Sequence, residues 1–226
     1  MTQPATGTAP RGRGRPPRLS REQIVEAAVD LLERDPDSDL TIKRVAEAAG
    51  AAPMALYRYF PDRDALLQAV ADRVLSRIQP VTLTGETWQE QVRQWMRNSR
   101  ERLRPHAQLL PYMASTQQPV GVRPLARLAE VLRPLGLSDE DLAVAVLLIS
   151  STTIGYASYE TRRSPVEQIV TQLRAGLSVR PESEREVLAP ILPRLPAAFA
   201  RLYDVVLDQT VAAIEALAPV GSAAER

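Results

Sequence analysis

Apolar positions recur at helical spacing along most of the chain. Ile24, Ala27, Ala28, Leu31 and Leu32 fall at i, i+3, i+4, i+7 and i+8 behind Ser20, which can N-cap a helix. That predicts a first helix ending at Asp35-Pro36-Asp37. Thr41 caps a second helix with Ile42, Val45, Ala46 and Ala49 inward, and Gly50 stands where a left-handed C-cap is needed. Pro53 suits the first turn of a third helix, since its missing N–H would be unpaired there anyway; Pro61 stops that helix. Asp62 caps a fourth, with Leu66, Leu67, Val70, Val74 and Ile78 on one face.

The remainder reads as helical too. Trp88, Val92, Trp95, Met96, Ser99 and Leu103 line one face, and Leu125, Leu128, Ala129 and Leu132 another in a helix begun near Pro124. Ser138-Asp139-Glu140-Asp141 resembles a capping box and opens a long helix to about Glu160, apolar nearly all round from Leu142 to Ile154. Ser164-Pro165-Val166-Glu167 is a second capping box, with Gly176 a stop. Residues 177–193 read as loop with one helical turn set, and a last helix runs from about Pro196 to Leu217. With no alternating pattern, the fold class is all-α, in three parts: a basic arm (1–19), a helix-turn-helix domain (20–66) and a larger helical body (67–226).

Composition sharpens this. Hydrophobic content of 45% permits a sizeable core, and aromatic content of 4% means aliphatic side chains fill it. There is no cysteine and a single histidine, His106, after Pro105 at a helix start; a transition-metal site has little support and no cofactor is expected. No apolar run is expected to reach bilayer length, because Leu142–Ile149 runs into Ser150, Ser151, Thr152 and Thr153. The first residues lack a secretory pattern, which makes a cytoplasmic location the default. Net charge is only +1, but five arginines (Arg11, Arg13, Arg15, Arg18 and Arg21) precede the first acid, Glu22, so a basic arm leads a mildly acidic body.

Two short helices around a tight turn, flanked by cations, can enter a DNA major groove. The start of the Thr41 helix can face a phosphate, with Lys43 and Arg44 adding charge. Tyr57 and Tyr59 can each place a hydroxyl on a phosphate, and Arg63 can reach another. The base-facing surface is Ala51 to Ala55, with Ala52, Pro53 and Met54 placed against thymine methyls and Arg58 or Lys43 nearest for hydrogen-bonded readout. Arg13-Gly14-Arg15-Pro16 can lay two arginines into a narrow A·T-rich minor groove. No nucleophile–base arrangement or phosphate-cradling glycine loop appears, which points away from an enzyme.

The stretch TIKRVAEAAGAAPMALYRYFPDRDALL, through Gly50, Leu56-Tyr57, Tyr59, Phe60, Arg63 and Leu66-Leu67, resembles the DNA-binding domain of the tetracycline-repressor family over about residues 20–75. Ala52 stands where many members have a capping Ser, and Met54-Ala55 where many have Gly-Thr. LRPLGLSDEDLAVAVLLISSTTIGYASYE and the last apolar helix resemble that family's regulatory domain. The resemblance implies a homodimer joined by a four-helix bundle of the last two long helices, an operator of double-stranded DNA, and repression relieved by a small molecule. A helix apolar on every face also needs more cover than one small monomer offers, and a half-site reader needs two copies. Most of the few aromatics fall in the second domain, so Trp88, Trp95, Tyr112, Met113, Tyr156 and Tyr159 are expected to line a pocket for a small, largely apolar effector. Two other readings stay open: an architectural DNA-binding protein working through the arginine arm and, ranked last, a helical enzyme or carrier.

Overall fold

The computed structural model describes residues 19–36, 38–78, 82–114 and 122–219. Arg13 and Arg15 lie outside them. Every regular element among the described residues is helical.

In the N-terminal head, α1 (Arg21–Arg34) opens with a complete capping box. The Ser20 amide donates to Gln23 Oε1 at 2.9 Å, and the Gln23 amide returns to Ser20 Oγ at 3.1 Å. In α2 (Ile42–Ala48), Thr41 Oγ1 accepts from the Arg44 amide at 3.3 Å. Gly50 follows at φ +65°; an added Cβ would meet nothing within 4 Å, so the backbone and not the space requires glycine. α3 (Pro53–Leu56) starts on Pro53 without any side-chain cap, because Ala52 has no acceptor. Regular helix ends at Leu56, well before Pro61: Tyr57–Tyr59 form a turn, with the Phe60 amide donating to the Leu56 carbonyl at 2.9 Å. Tyr57 and Tyr59 therefore sit on a turn at the end of α3. Asp62 Oδ1 caps α4 (Arg63–Arg77) by accepting from the Ala65 amide at 2.7 Å.

The body begins with α5 (Trp88–Leu103), opened by a Thr87–Glu90 capping box that the sequence reading missed. A 3₁₀ segment (Arg104–Leu109) leads into α6 (Leu110–Ala114). Then come α7 (Val122–Leu132), α8 (Asp139–Arg162), α9 (Val166–Leu177), α10 (Glu182–Leu188) and α11 (Leu195–Leu217). Two expectations in α9 fail. The N-cap is Pro165 with no side-chain hydrogen bond, since Ser164 sits one residue too early, and Gly176 lies inside the helix, which ends at Ser178 in right-handed geometry.

Two buried clusters organise the chain. One joins α1–α4 through Ile24, Leu56, Phe60, Leu67 and Val70, and continues into Leu103, Leu109, Leu110, Met113 and Ala157. The other joins α5, α7, α8 and α11 through Val92, Met96, Leu128, Ile149, Leu207 and Ile214. α8 packs on α5, α6, α7 and α11. By length and average hydropathy it could cross a bilayer, contrary to the sequence expectation. One face of it is buried in the body cluster while another stays exposed, and its hydroxyls are absorbed locally: Ser150 Oγ and Thr153 Oγ1 donate to the carbonyls of Val146 and Ile149 at 2.6 and 2.7 Å.

Candidate nucleic-acid interface and ligand cleft

The residues singled out in the head separate by what their side chains already do. Lys43, Ala52, Pro53, Met54, Tyr57 and Arg58 are exposed on one end of α2 and on α3 with its following turn. Met54 is 75% exposed and Tyr57 47%, large apolar surfaces with nothing among the described residues to cover them. Thr41, Arg44, Tyr59 and Arg63 instead hold the frame. Thr41 caps α2. Arg44 donates from Nη1 to the Asp39 carbonyl at 2.8 Å and from Nη2 to Asp35 Oδ2 at 3.1 Å, tying α2 to the preceding loop. Tyr59 is half-buried and its hydroxyl donates to the Leu19 carbonyl, fixing where the chain enters α1. Arg63 Nε donates to the Leu40 carbonyl at 2.8 Å. Arg21 stacks on the Phe60 ring, Cζ 4.7 Å from its centroid.

Residues 104–114 sit between head and body: Leu109, Leu110 and Met113 are buried in the head cluster, and the segment packs on α4, α5 and α8. Gln108 Oε1 accepts from the Leu40 amide at 2.9 Å and Nε2 donates to the Ser38 carbonyl at 3.1 Å, holding the α1–α2 loop as a neighbouring strand would. The Tyr112 hydroxyl donates to Asp64 Oδ1 at 2.6 Å; burial first, then that carboxylate, push its pKa up. The head is thus gripped by the body at the loop before α2 and at the start of α4.

Of the six residues expected to share one pocket, all but Tyr159 divide between the two clusters, although the Tyr156 and Tyr159 rings meet edge to face at 6.0 Å. Met113 is buried and Tyr112 half-buried against the head cluster; Trp95 is buried in the body cluster with Trp88 half-buried beside it; Tyr159 is largely exposed. Core packing took the large side chains because so few aromatics were available to fill it. Only Tyr156 lines the cleft, of about 380 Å³, that lies between α5, α8, α9 and α11. Its lining is half charged: Arg97, Arg100 and Glu101 from α5, Glu160 and Arg163 from the end of α8, and Asp204 from α11. Val166, Pro196, Phe199, Ala200 and Tyr203 complete it with Tyr156.

Two of the arginines are matched to acids. Arg100 forks onto Glu160, Nε to Oε2 at 2.8 Å and Nη2 to Oε1, and this hydrogen-bonded pair holds the Glu160 carboxyl below the usual carboxylate range. Arg97 Nη2 donates to Asp204 Oδ1 at 3.0 Å. Arg100 also lies over the Tyr203 ring, 4.4 Å from its centroid, and Tyr203 packs on Tyr156 at 4.6 Å. Arg163 stacks over Phe199 at 4.6 Å, and its Nη1 is buried without a hydrogen-bond partner. The signal for this cleft was present in the sequence as Arg97 and Arg100, one helical turn apart on the otherwise amphipathic α5.

This arrangement, a capped helix-turn-helix head gripped by a larger helical body, matches known proteins. Residues 24–70 match the family model for bacterial regulatory proteins of the tetR family, and residues 80–210 match the tetracyclin repressor-like C-terminal domain. The chain belongs to the TetR family of DNA-binding transcriptional regulators, a family of regulators and not of enzymes. Among its relatives is the HTH-type transcriptional repressor DrrR1 of Streptomyces coeruleorubidus, 31% identical over 176 residues, covering 76% of this chain and 63% of that protein. The chain spans a little under two thirds of the length of the first curated relatives it matches. The structure of ActR from Streptomyces coelicolor in complex with actinorhodin superposes with a TM-score of 0.70 at 26% identity, covering 92% of this chain and 100% of that one. BioQ bound to its double-stranded DNA operator superposes with a TM-score of 0.52 at 27% identity, covering 72% and 100%.

Proposed function

We propose that the protein is a homodimeric repressor that binds a two-fold operator and releases it when a small molecule occupies the body; it works in the cytoplasm, where its DNA is. The observation that carries this is the exposed set Lys43, Pro53, Met54, Tyr57 and Arg58, beside Arg44, Tyr59 and Arg63, whose side chains hold the frame. Tyr57 and Lys43 contact phosphates, Met54 and Pro53 pack on thymine methyls, and Arg58 is the nearest hydrogen-bond donor to a base edge. Thr41, Arg44, Tyr59 and Arg63 position these groups, Tyr59 through the Leu19 carbonyl.

The partner copy is supported by a second surface. On α8, Val144, Leu147, Ser151, Gly155 and Tyr159 are exposed, and on α11 Ala198, Val205, Gln209, Ala212 and Ala216 form a matching exposed stripe at spacings of seven, four, three and four. Leu147 is 62% exposed. Two such pairs of helices close into a four-helix bundle and bury both stripes. A small molecule acts only through a difference in affinity between the operator-bound and released states; the grip of residues 104–114 on the head provides the path. That ActR was solved with actinorhodin supports responsiveness to a small molecule here.

Gel-shift titration on the intergenic DNA upstream of the gene tests the reading. Saturable binding that weakens steeply with salt is expected, since phosphate contacts release counterions. Tyr57→Phe weakens binding to every sequence alike, whereas Met54→Ala changes the order of preferred sequences. Equal losses on all sites for both variants would refute this division of labour.

A further inference from the structure

The charged cleft in the body differs from the largely apolar pocket the sequence suggested, and the difference identifies a ligand class. Its acids and bases are matched one to one, except at its inner wall. Glu160 is taken by Arg100 and Asp204 by Arg97. The leftover acid, Glu101, is exposed. The leftover base, Arg163, is half-buried with its guanidinium flat on Phe199 and its Nη1 both buried and unpaired. A buried donor with no acceptor is rare in a folded protein and marks a place where an acceptor belongs. Around it the walls are planar or apolar: Phe199, Tyr156, Tyr203, Val166 and Pro196. The volume of about 380 Å³ suits a molecule of two or three fused rings.

We propose that this cleft binds a planar aromatic acid, its carboxylate on the Arg163 guanidinium and its rings between Phe199 and the Tyr156–Tyr203 pair. This deepens the proposal that the chain answers to a small molecule and rests on it. Arg163 is suited to the task because a guanidinium always keeps its charge and offers two parallel donors to a carboxylate while its face stays stacked on an aromatic ring. Arg100 is not the anchor, because both of its inner donors are already on Glu160. The occupant would lie against that bridge, which ties α5 to α8, and so against the helices that lead into residues 104–114.

Isothermal titration of the full chain with 2-naphthoate and with uncharged 2-naphthamide tests the assignment. Saturable binding of one naphthoate per chain is expected, with the amide at least about tenfold weaker, the loss that follows from giving up a charge-assisted bond. Arg163→Gln should erase the preference for the acid, Arg163→Lys should keep part of it, and Phe199→Ala should weaken both probes. Absence of saturable naphthoate binding, or an acid preference that survives Arg163→Gln, overturns the proposal. Operator release is read separately by gel shift. Naphthoate binding without release upholds the cleft and removes the ligand-responsive reading. Release by another compound, with no naphthoate binding, removes the cleft and leaves that reading standing.

Discussion

The head and the body solve the same problem with different completeness. In the head, α1, α2 and α4 each carry a side-chain N-cap, from Ser20, Thr41 and Asp62, and the cluster around Leu56 and Phe60 closes within the chain. In the body, Thr87 and Ser138 cap α5 and α8 but α9, α10 and α11 have no side-chain cap, and the longest helix leaves Val144 and Leu147 exposed. The head is specified locally, by caps and turn residues. The body is specified by packing, part of which the second copy and the ligand proposed above would supply. A reader of DNA has to hold a fixed shape, whereas a sensor has to leave contacts unmade until its partners arrive.

The largest effect expected from breaking that contrast is at the exposed stripe. Leu147→Arg places a charge where two copies would press together, and leaves the buried cluster of the same chain untouched. Sedimentation equilibrium should show a monomer. Operator affinity should fall about a thousandfold, roughly 4 kcal/mol, because each monomer engages a single half-site. A monomeric variant that still binds full operator with unchanged affinity would end the argument from the stripe.

In the head the corresponding change acts on one chain alone. Leu56, fully buried at the end of α3, connects the recognition segment to α1 and α4. Leu56→Ala should cost about 3 kcal/mol by leaving a cavity the short helix cannot collapse into. Denaturant unfolding measures it, and operator binding should fall in parallel with the folded fraction while the dimer persists. A loss of less than about 1 kcal/mol would mean that the head is far more plastic than its caps imply.

What could be read beforehand follows the same division. Ser20, Thr41, Gly50, Pro53 and Asp62 act within four residues of themselves, so local chemistry placed the head's helix starts and its turn. The end of α3 was not legible, because the turn at Tyr57–Tyr59 is set by Phe60 and Tyr59 packing back onto the head and onto Leu19, some 40 residues away. Trp95 and Met113 are apolar, which says they are buried but not in which cluster. The cleft was missed because its parts, Arg100, Glu160, Arg163 and Phe199, come from three helices whose relative placement no periodicity encodes. Gly176 failed as a stop because the chain does not turn left-handed there: the helix runs on to Leu177 and its C-cap, Ser178, is right-handed.

A smaller effect tests whether local caps matter as much in the body. Thr41→Ala in the head and Thr87→Ala in the body each remove one hydroxyl acceptor, from the Arg44 and Glu90 amides. Each should cost about 1 kcal/mol in thermal or denaturant unfolding. Thr41→Ala should in addition weaken operator binding, since α2 begins there, while Thr87→Ala should leave it unchanged. Equal effects of both on DNA affinity would show that head and body unfold as one unit.

The smallest effect concerns His106, at the junction itself. Its Nδ1 is buried without a partner, and burial holds its pKa below the ordinary 6.5, against a weaker pull from Glu33. The folded chain therefore binds fewer protons than the unfolded chain just below that value. Stability is intact above about 6.5, is lost as pH falls through it, and levels off once the folded imidazole is also protonated. The loss should be under about 1 kcal/mol for a group only partly removed from solvent. Melting temperatures of the natural chain and of His106→Gln, compared between pH 7.5 and 5.5, read it out. The natural chain should fall more steeply, and the head should report the change because residues 104–114 hold it through Gln108. Parallel curves would place the junction's sensitivity elsewhere and leave His106 as packing alone.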